Sequence, residues 1–141
     1  MTAKSRGKIS PADYQALAEF RYLLRRFMVF SEEAAREAGL APQQHQALLA
    51  IKGFEGAPTI GDLAERLAVK HHSAVGLVDR LAKAGHLKRR QDPVDRRCVT
   101  LALTASGEKL LADLSSAHRE ELRMLTPSLK ALFAKLERQQ I

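Results

Sequence analysis

Apolar residues recur at helical spacing through most of this chain, interrupted once by two short stretches that alternate every second residue. The first helical segment opens on "SPAD". Ser10 suits the N-cap, Pro11 the first helical position, and Asp13 completes a short-armed capping box. The pattern predicts a helix from there to about Ala38, stopped by Gly39. Its apolar residues form two adjoining stripes, one of Leu17, Leu24, Met28 and Ala35, the other of Phe20, Leu23, Phe27 and Phe30. Together they are wider than packing on one neighbour requires, so a second subunit is expected to cover part of this helix.

A second helix is predicted from Pro42 to about Lys52, with Leu48, Leu49 and Ile51 as its apolar positions and "GFEGAP" as the loop after it. "TIGDLAERLAV" then starts with Thr59 and Asp62 in capping-box spacing and buries Leu63, Ala64 and Leu67. After a break of about three residues, Ala74, Val78, Leu81 and Ala82 follow at helical intervals, with Gly85 as the stop. Two helices of about eight and thirteen residues across so short a turn form a helix-turn-helix.

The alternating stretches come next: "HLKRRQ", the turn "DPVD", and "CVTLALT". In the second of them Val99, Leu101 and Leu103 share one face and Cys98, Thr100 and Ala102 the other. A hairpin directly after the second helix of a helix-turn-helix is a wing. From Thr104 the helical period returns, with Leu110, Leu111, Leu114, Leu122 and Leu125 on one side. Thr126-Pro127 is predicted to break this helix and cap a last one carrying Leu129, Leu132, Phe133 and Leu136. The fold class is mainly α with a small β wing, the winged helix-turn-helix lying between N- and C-terminal helices.

Composition changes this picture in two places. At 141 residues, with 45% hydrophobic and 28% charged residues, the chain can build one domain with a proper core and needs no disulfide or metal. The 23 Lys+Arg against 16 Asp+Glu give a net charge of +7, which suits an anionic partner, nucleic acid or an acidic membrane surface. Cys98 is the sole cysteine, so an internal disulfide and an all-cysteine metal site are both ruled out. No segment approaches the ~20 apolar residues of a membrane span, and "MTAKSRGKIS" leads into no apolar run of a signal sequence. A cytoplasmic protein is expected.

The candidate chemistry sits at the start of the second helix of the pair and on the wing. "VKHH" places Lys70, His71 and His72 at a helix N-terminus, where cations are unfavourable by tenths of a kcal/mol. The arrangement makes sense where a phosphate or a base acceptor occupies that space; the alternative is an indifferent solvated helix end. Ser73 adds a hydroxyl that reaches a phosphate, and Arg80 a long basic arm. From Lys88 to Arg97 there are five bases (Lys88, Arg89, Arg90, Arg96, Arg97) and two acids (Asp92, Asp95), a net +3. A carboxylate at Asp95 can hold Arg97 in one direction, and a narrow minor groove attracts an arginine presented that way. The bland alternative is a surface ion pair worth under ~1 kcal/mol.

Residues 59–107 closely resemble the core of the MarR family of bacterial transcriptional regulators, through "LAERL", "LVDRL…AGHLKRR" and the "DPVDRR…LALTASG" wing with its exit into the next helix. The resemblance implies a winged helix-turn-helix homodimer without cofactor, acting on double-stranded DNA at a pseudo-palindromic operator. Within one domain, 1–141, it assigns 10–39 and 105–141 to dimerisation and 42–104 to the DNA-binding lobe, with a recognition helix of about 71–84 and a wing of about 86–103. The helix from His71 would enter the major groove, Arg97 the minor groove with Asp95 positioning it, and Arg90 and Arg96 would add to the wing's phosphate attraction. Gly76 departs from the family, since many relatives carry a larger side chain there. Glycine either lets the helix sit close to the groove or removes one base contact, at a cost of up to ~1 kcal/mol of helix propensity.

The resemblance also implies a small aromatic or phenolic ligand, bound in a cleft between the dimer region and the lobe, that lowers DNA affinity. Tyr14, Phe20, Phe27 and Phe30, with His45, are the candidates to border it; a plain dimer core and a solvated helix histidine are the alternatives. A redox-responsive regulator using Cys98, beside Arg96 and Arg97, is a variant of this reading. An enzyme is not expected: no nucleophile elbow, phosphate-cradling glycine loop, metal-spaced histidines or paired carboxylates are present. The runner-up is a winged-helix protein–protein adaptor, which would need neither the wing bases nor the basic helix start. Membrane binding is disfavoured because the bases cluster on a hairpin and a helix end, not along one amphipathic face.

Overall fold

The computed structural model describes residues 7–138. The elements run α1 (Pro11–Glu37), α2 (Pro42–Lys52), α3 (Ile60–Leu67), α4 (His71–Lys83), β1 (Leu87–Gln91), β2 (Val99–Leu103) and α5 (Ala105–Arg138). By internal contacts the chain divides into two compact units, residues 31–117 and the remainder, with the dividing points inside α1 and α5.

Two helix starts form as their sequences dictate. Ser10 Oγ accepts from Asp13 N at 3.1 Å while Asp13 Oδ2 accepts from Ser10 N at 2.9 Å. Thr59 and Asp62 repeat the exchange at α3, at 3.2 and 2.9 Å. Each such cap satisfies amide groups that a helix end leaves without partners, contributing about 1 kcal/mol. After α4 the chain turns at Gly85 with φ +85, a conformation that glycine reaches without steric cost.

The 31–117 unit is built around one core of Leu40, Leu48, Ile51, Leu63, Val78 and Leu81, closed by Leu87, Leu101 and Leu103 from the hairpin and by Leu111 and Leu114 from α5. β1 and β2 pair antiparallel in a register from Leu87↔Leu103 to Gln91↔Val99. Leu101 N also donates to Pro58 O at 2.8 Å, tying the hairpin to the loop before α3. The hairpin is buried only at its base. Leu101 and Leu103 are covered, whereas Val99 on the same face is 36% exposed because it lies beyond the core's edge.

Three sequence expectations are corrected here. The buried residues of α2 are His45, Ala47, Leu48 and Ile51, and Leu49 is exposed, because the helix is packed by one face only. His45 is thus a core residue, 3% exposed, and not a solvated one. In α4, Leu77 is buried with Ala74, Val78 and Leu81, and Ala82 is only half-buried.

The other unit takes the N-terminal part of α1 and the C-terminal part of α5. Ala16, Leu23, Leu125 and Leu132 are buried in it. Phe20 meets Phe133 with ring centroids 6.4 Å apart, and Phe27 and Phe30 stand edge-on to His118 at 5.8 and 5.3 Å. Leu17, Leu24, Met28 and Val29 remain exposed on α1.

The expected break at Thr126-Pro127 does not occur. Pro127 lies inside α5, which runs unbroken from Ala105 to Arg138. Proline removes one amide donor from the helix, but Leu125 and Leu132, two turns apart on either side of it, are both buried. Their burial needs a continuous helical register, and tertiary packing overrides the local preference. Thr126 Oγ1 donates back to Leu122 O at 2.9 Å. Among the described residues, no helix is long and apolar enough to cross a membrane.

Candidate nucleic-acid interface

The turn between α3 and α4 is three residues long, 68–70, and Ala68 takes a left-handed conformation with φ 54 to make it. This turn sets the two helices against one another and leaves α4 with two unlike faces. Ala74, Leu77, Val78 and Leu81 point into the core, all at most 3% exposed. His71, His72, Asp79, Arg80 and Lys83 are exposed, and Ser73 and Gly76 are half-buried beside them.

The first turn of α4 differs from that of α3. Lys70 is its N-cap residue, no side chain caps it, and no acidic residue lies in the first turn. Amide groups at an uncapped helix start carry partial positive charge and suit an anion. Lys70 adds a positive charge at this helix start, beside His71 and His72.

Two ion pairs organise the rest of the surface. Arg89 of β1 donates to Asp79 of α4, which ties the hairpin to the helix and neutralises the acid on the helix's outward side. This pair was not legible in the sequence: ten residues separate the partners, and only the fold brings them together. On the wing, Asp95 Oδ1 accepts from Arg97 N at 3.0 Å and from Arg97 Nε at 3.2 Å. The expected hold of Asp95 on Arg97 is formed, and the Arg97 side chain is 93% exposed. Arg90 and Arg96 are exposed as well.

The wing turn is built by carboxylates. Asp92 Oδ1 accepts from Val94 N at 2.7 Å and Asp95 N at 3.0 Å. The Asp95 amide first, and the Val94 amide after it, hold the Asp92 carboxyl below its usual 3.8. Cys98 lies just before β2, half-buried, with its N–H and C=O both bonded within this turn. His71, Asp95, Arg97 and Cys98 line one open hollow of about 530 Å³ between the starts of α3 and α4 and the wing. The fold therefore brings the start of α4 and the wing arginine to a common surface.

At the other end of α4, Thr104 Oγ1 donates to Gly85 O at 2.6 Å, and the Gly107 amide donates to Thr104 Oγ1 at 3.1 Å. A Cβ at Gly107 would lie 2.1 Å from His86 O, so only glycine permits this approach of α5 to the chain leaving α4. These residues of the "LTASG" exit were read from sequence only as a motif. Of the aromatic candidates, Tyr14, Phe20 and Phe27 belong to the unit outside 31–117 and His45 to the unit within it. Tyr14 is 63% and Phe20 37% exposed.

A sequence profile described as the MarR family matches residues 38–97. The HTH-type transcriptional regulator YcgE of Bacillus subtilis is 34% identical over 110 residues, 78% of this chain and 71% of YcgE. The chain belongs to the MarR family. MdtR of the same organism, an HTH-type transcriptional repressor, is 30% identical over 98 residues, 67% of this chain and 63% of MdtR. Among solved structures, an F27L mutant of MepR from S. aureus, bound to an oligodeoxyribonucleotide, shares the fold with a TM-score of 0.69. Its identity is 20% over 91% of this chain and 98% of MepR. As a MarR-family member the chain is a transcriptional regulator with a DNA-binding winged helix-turn-helix, and the family is not enzymatic.

Proposed function

We propose that this MarR-family regulator binds a pseudo-palindromic operator as a homodimer and represses transcription by covering promoter DNA. The observation that carries the reading is the common surface of an uncapped, basic helix start and a wing arginine held outward by Asp95. Lys70, Ser73, Arg90 and Arg96 supply phosphate attraction, and His71, His72 and Arg80 read base edges in the major groove. Arg97 enters the minor groove. Two copies of α4 would occupy successive major grooves, about 34 Å apart.

Dimerisation through 10–39 and 105–141 is supported by the exposed Leu17, Leu24, Met28 and Val29, which are costly to leave in water. Repression is the mode printed in the name of MdtR. A small aromatic ligand that lowers DNA affinity fits the exposed Tyr14 and Phe20 rings. A regulator of this kind works where the chromosome is, in the cytoplasm.

The test is selection of genomic DNA fragments by the purified protein at low and physiological salt. One palindromic motif, bound with an affinity that falls steeply as salt rises, is the expected result. Recovery of unspecific fragments alone, at low salt alone, would overturn the operator reading and favour a protein–protein adaptor. Small phenolic acids added to the operator complex should weaken it; no effect from any of them removes the ligand and leaves the operator.

A further inference from the structure

On α4 the residues His72, Gly76, Asp79 and Lys83 follow one line along the helix at the spacing of a single face. The buried Ala74, Leu77, Val78 and Leu81 occupy the opposite side, so this line is the middle of the outward face. Gly76 leaves a gap in it. Arg80, one turn later, sits at the flank, yet its guanidinium fills that gap. Nη1, Nη2 and Cζ lie 3.6, 3.7 and 3.9 Å from the point a Cβ at position 76 would occupy. Long side chains on a helix lean back toward its N-terminus, which carries the group from 80 over 76.

The guanidinium is also unclaimed. The acid beside it, Asp79, is held by Arg89, and no carboxylate among the described residues pairs with Arg80. Arg89 and Arg97 each have an acid; Arg80 keeps its five N–H donors for something else. A guanidinium at the centre of a groove-facing helix matches O6 and N7 of guanine, the commonest specific contact in the major groove.

We propose that Gly76 is a positioning residue for base reading: its missing side chain is the seat that lets the Arg80 guanidinium lie along the centre of α4 and read a guanine in each operator half-site. This rests on the operator reading above. It resolves the two roles left open for Gly76, since the glycine neither removes a contact nor serves only close approach. It moves the contact one turn along the helix, to Arg80.

The test compares Arg80→Ala, Gly76→Ala, Gly76→Leu and Gly76→Gln on the selected operator and on operators with each base substituted in turn. Circular dichroism melts confirm that each variant is folded. The parent should discriminate one guanine position by roughly 10- to 100-fold. Arg80→Ala should lose that discrimination. Gly76→Ala should keep it, because 3.6 Å is ordinary contact for a methyl group. Gly76→Leu and Gly76→Gln should lose it at the same position.

Retention of the guanine preference by folded Gly76→Leu or Gly76→Gln, with its loss in Arg80→Ala, overturns the seat and leaves the operator reading intact. Retention in Arg80→Ala overturns the proposal at its root. A parent protein with no base preference anywhere overturns the operator reading itself.

Discussion

One oxygen of Asp95 accepts both the main-chain N–H and the Nε of Arg97, at 3.0 and 3.2 Å. Holding backbone and side chain to the same atom restricts the direction in which the guanidinium leaves the wing. The side chain itself stays in water, so the pair contributes little to stability, under about 1 kcal/mol for exposed partners. Its effect is to aim a cation.

Arg97→Ala should therefore weaken operator binding by about 1–3 kcal/mol and leave the melting temperature where it was. Asp95→Ala should weaken binding in the same direction by less, and the double variant should be no weaker than Arg97→Ala alone. Fluorescence anisotropy on the selected operator reads all three. An Asp95→Ala protein that binds more tightly would show that removing a negative charge near phosphate outweighs the aiming.

Leu24 is 42% exposed on α1. A leucine covered on association contributes about 1.5–3 kcal/mol, and an acid in its place would be buried without a partner. Leu24→Glu is expected to give folded monomers in sedimentation-velocity runs. Phe27 is a poorer site for the same change, because its ring packs on His118 within the chain and its loss would disturb folding as well. A Leu24→Glu protein that sediments as a stable dimer places the interface elsewhere.

Gly107→Ala puts a methyl carbon 2.1 Å from the His86 carbonyl oxygen. Both groups are backbone-borne, so neither can rotate away. The expected loss is at least about 2–3 kcal/mol of stability, the upper range for overpacking, seen as a lower urea midpoint at unchanged slope. Stability equal to the parent's would mean that α5 and the hairpin base are not in this contact.

The Asp92 carboxyl is held below 3.8 by the amides of Asp95 and Val94. A lowered value in the folded turn adds stability above the ordinary value, and that contribution disappears as pH falls through the lower one. The two hydrogen bonds to the Asp92 carboxylate should accordingly persist from about pH 8 to about pH 5 and be lost only at pH below 3.8. Amide proton shifts of Val94 and Asp95 followed by NMR report this directly. A midpoint near pH 5 would contradict the hydrogen bonding assigned to Asp92.

What was legible in the sequence was whatever depends on neighbours along the chain. The Ser10–Asp13 and Thr59–Asp62 caps, the eight- and thirteen-residue helices and the Asp95–Arg97 pair all rest on residues two to four positions apart with a regular geometry. The misreadings arose where distant packing decides. Leu49 and Leu77 are the same residue type at helical spacing, yet one is exposed and the other buried, according to which side of the helix meets the core. Thr-Pro is a sound stop signal in isolation, and the burial of Leu125 and Leu132 on either side of it overrode that signal. Asp79–Arg89 and the Arg80 guanidinium over Gly76 are invisible in one dimension because they depend on a helix meeting a hairpin and on the lean of one side chain.

The two unlike faces of α4 have a consequence for how such proteins diversify. Ala74, Leu77, Val78 and Leu81 are buried in the core, whereas His71, His72 and Lys83 are exposed. After gene duplication, the outward set can drift under selection for a new promoter while the inward set goes on specifying the same fold. One scaffold can thereby found a lineage of regulators with separate targets, and folding never stands in the way of the next one.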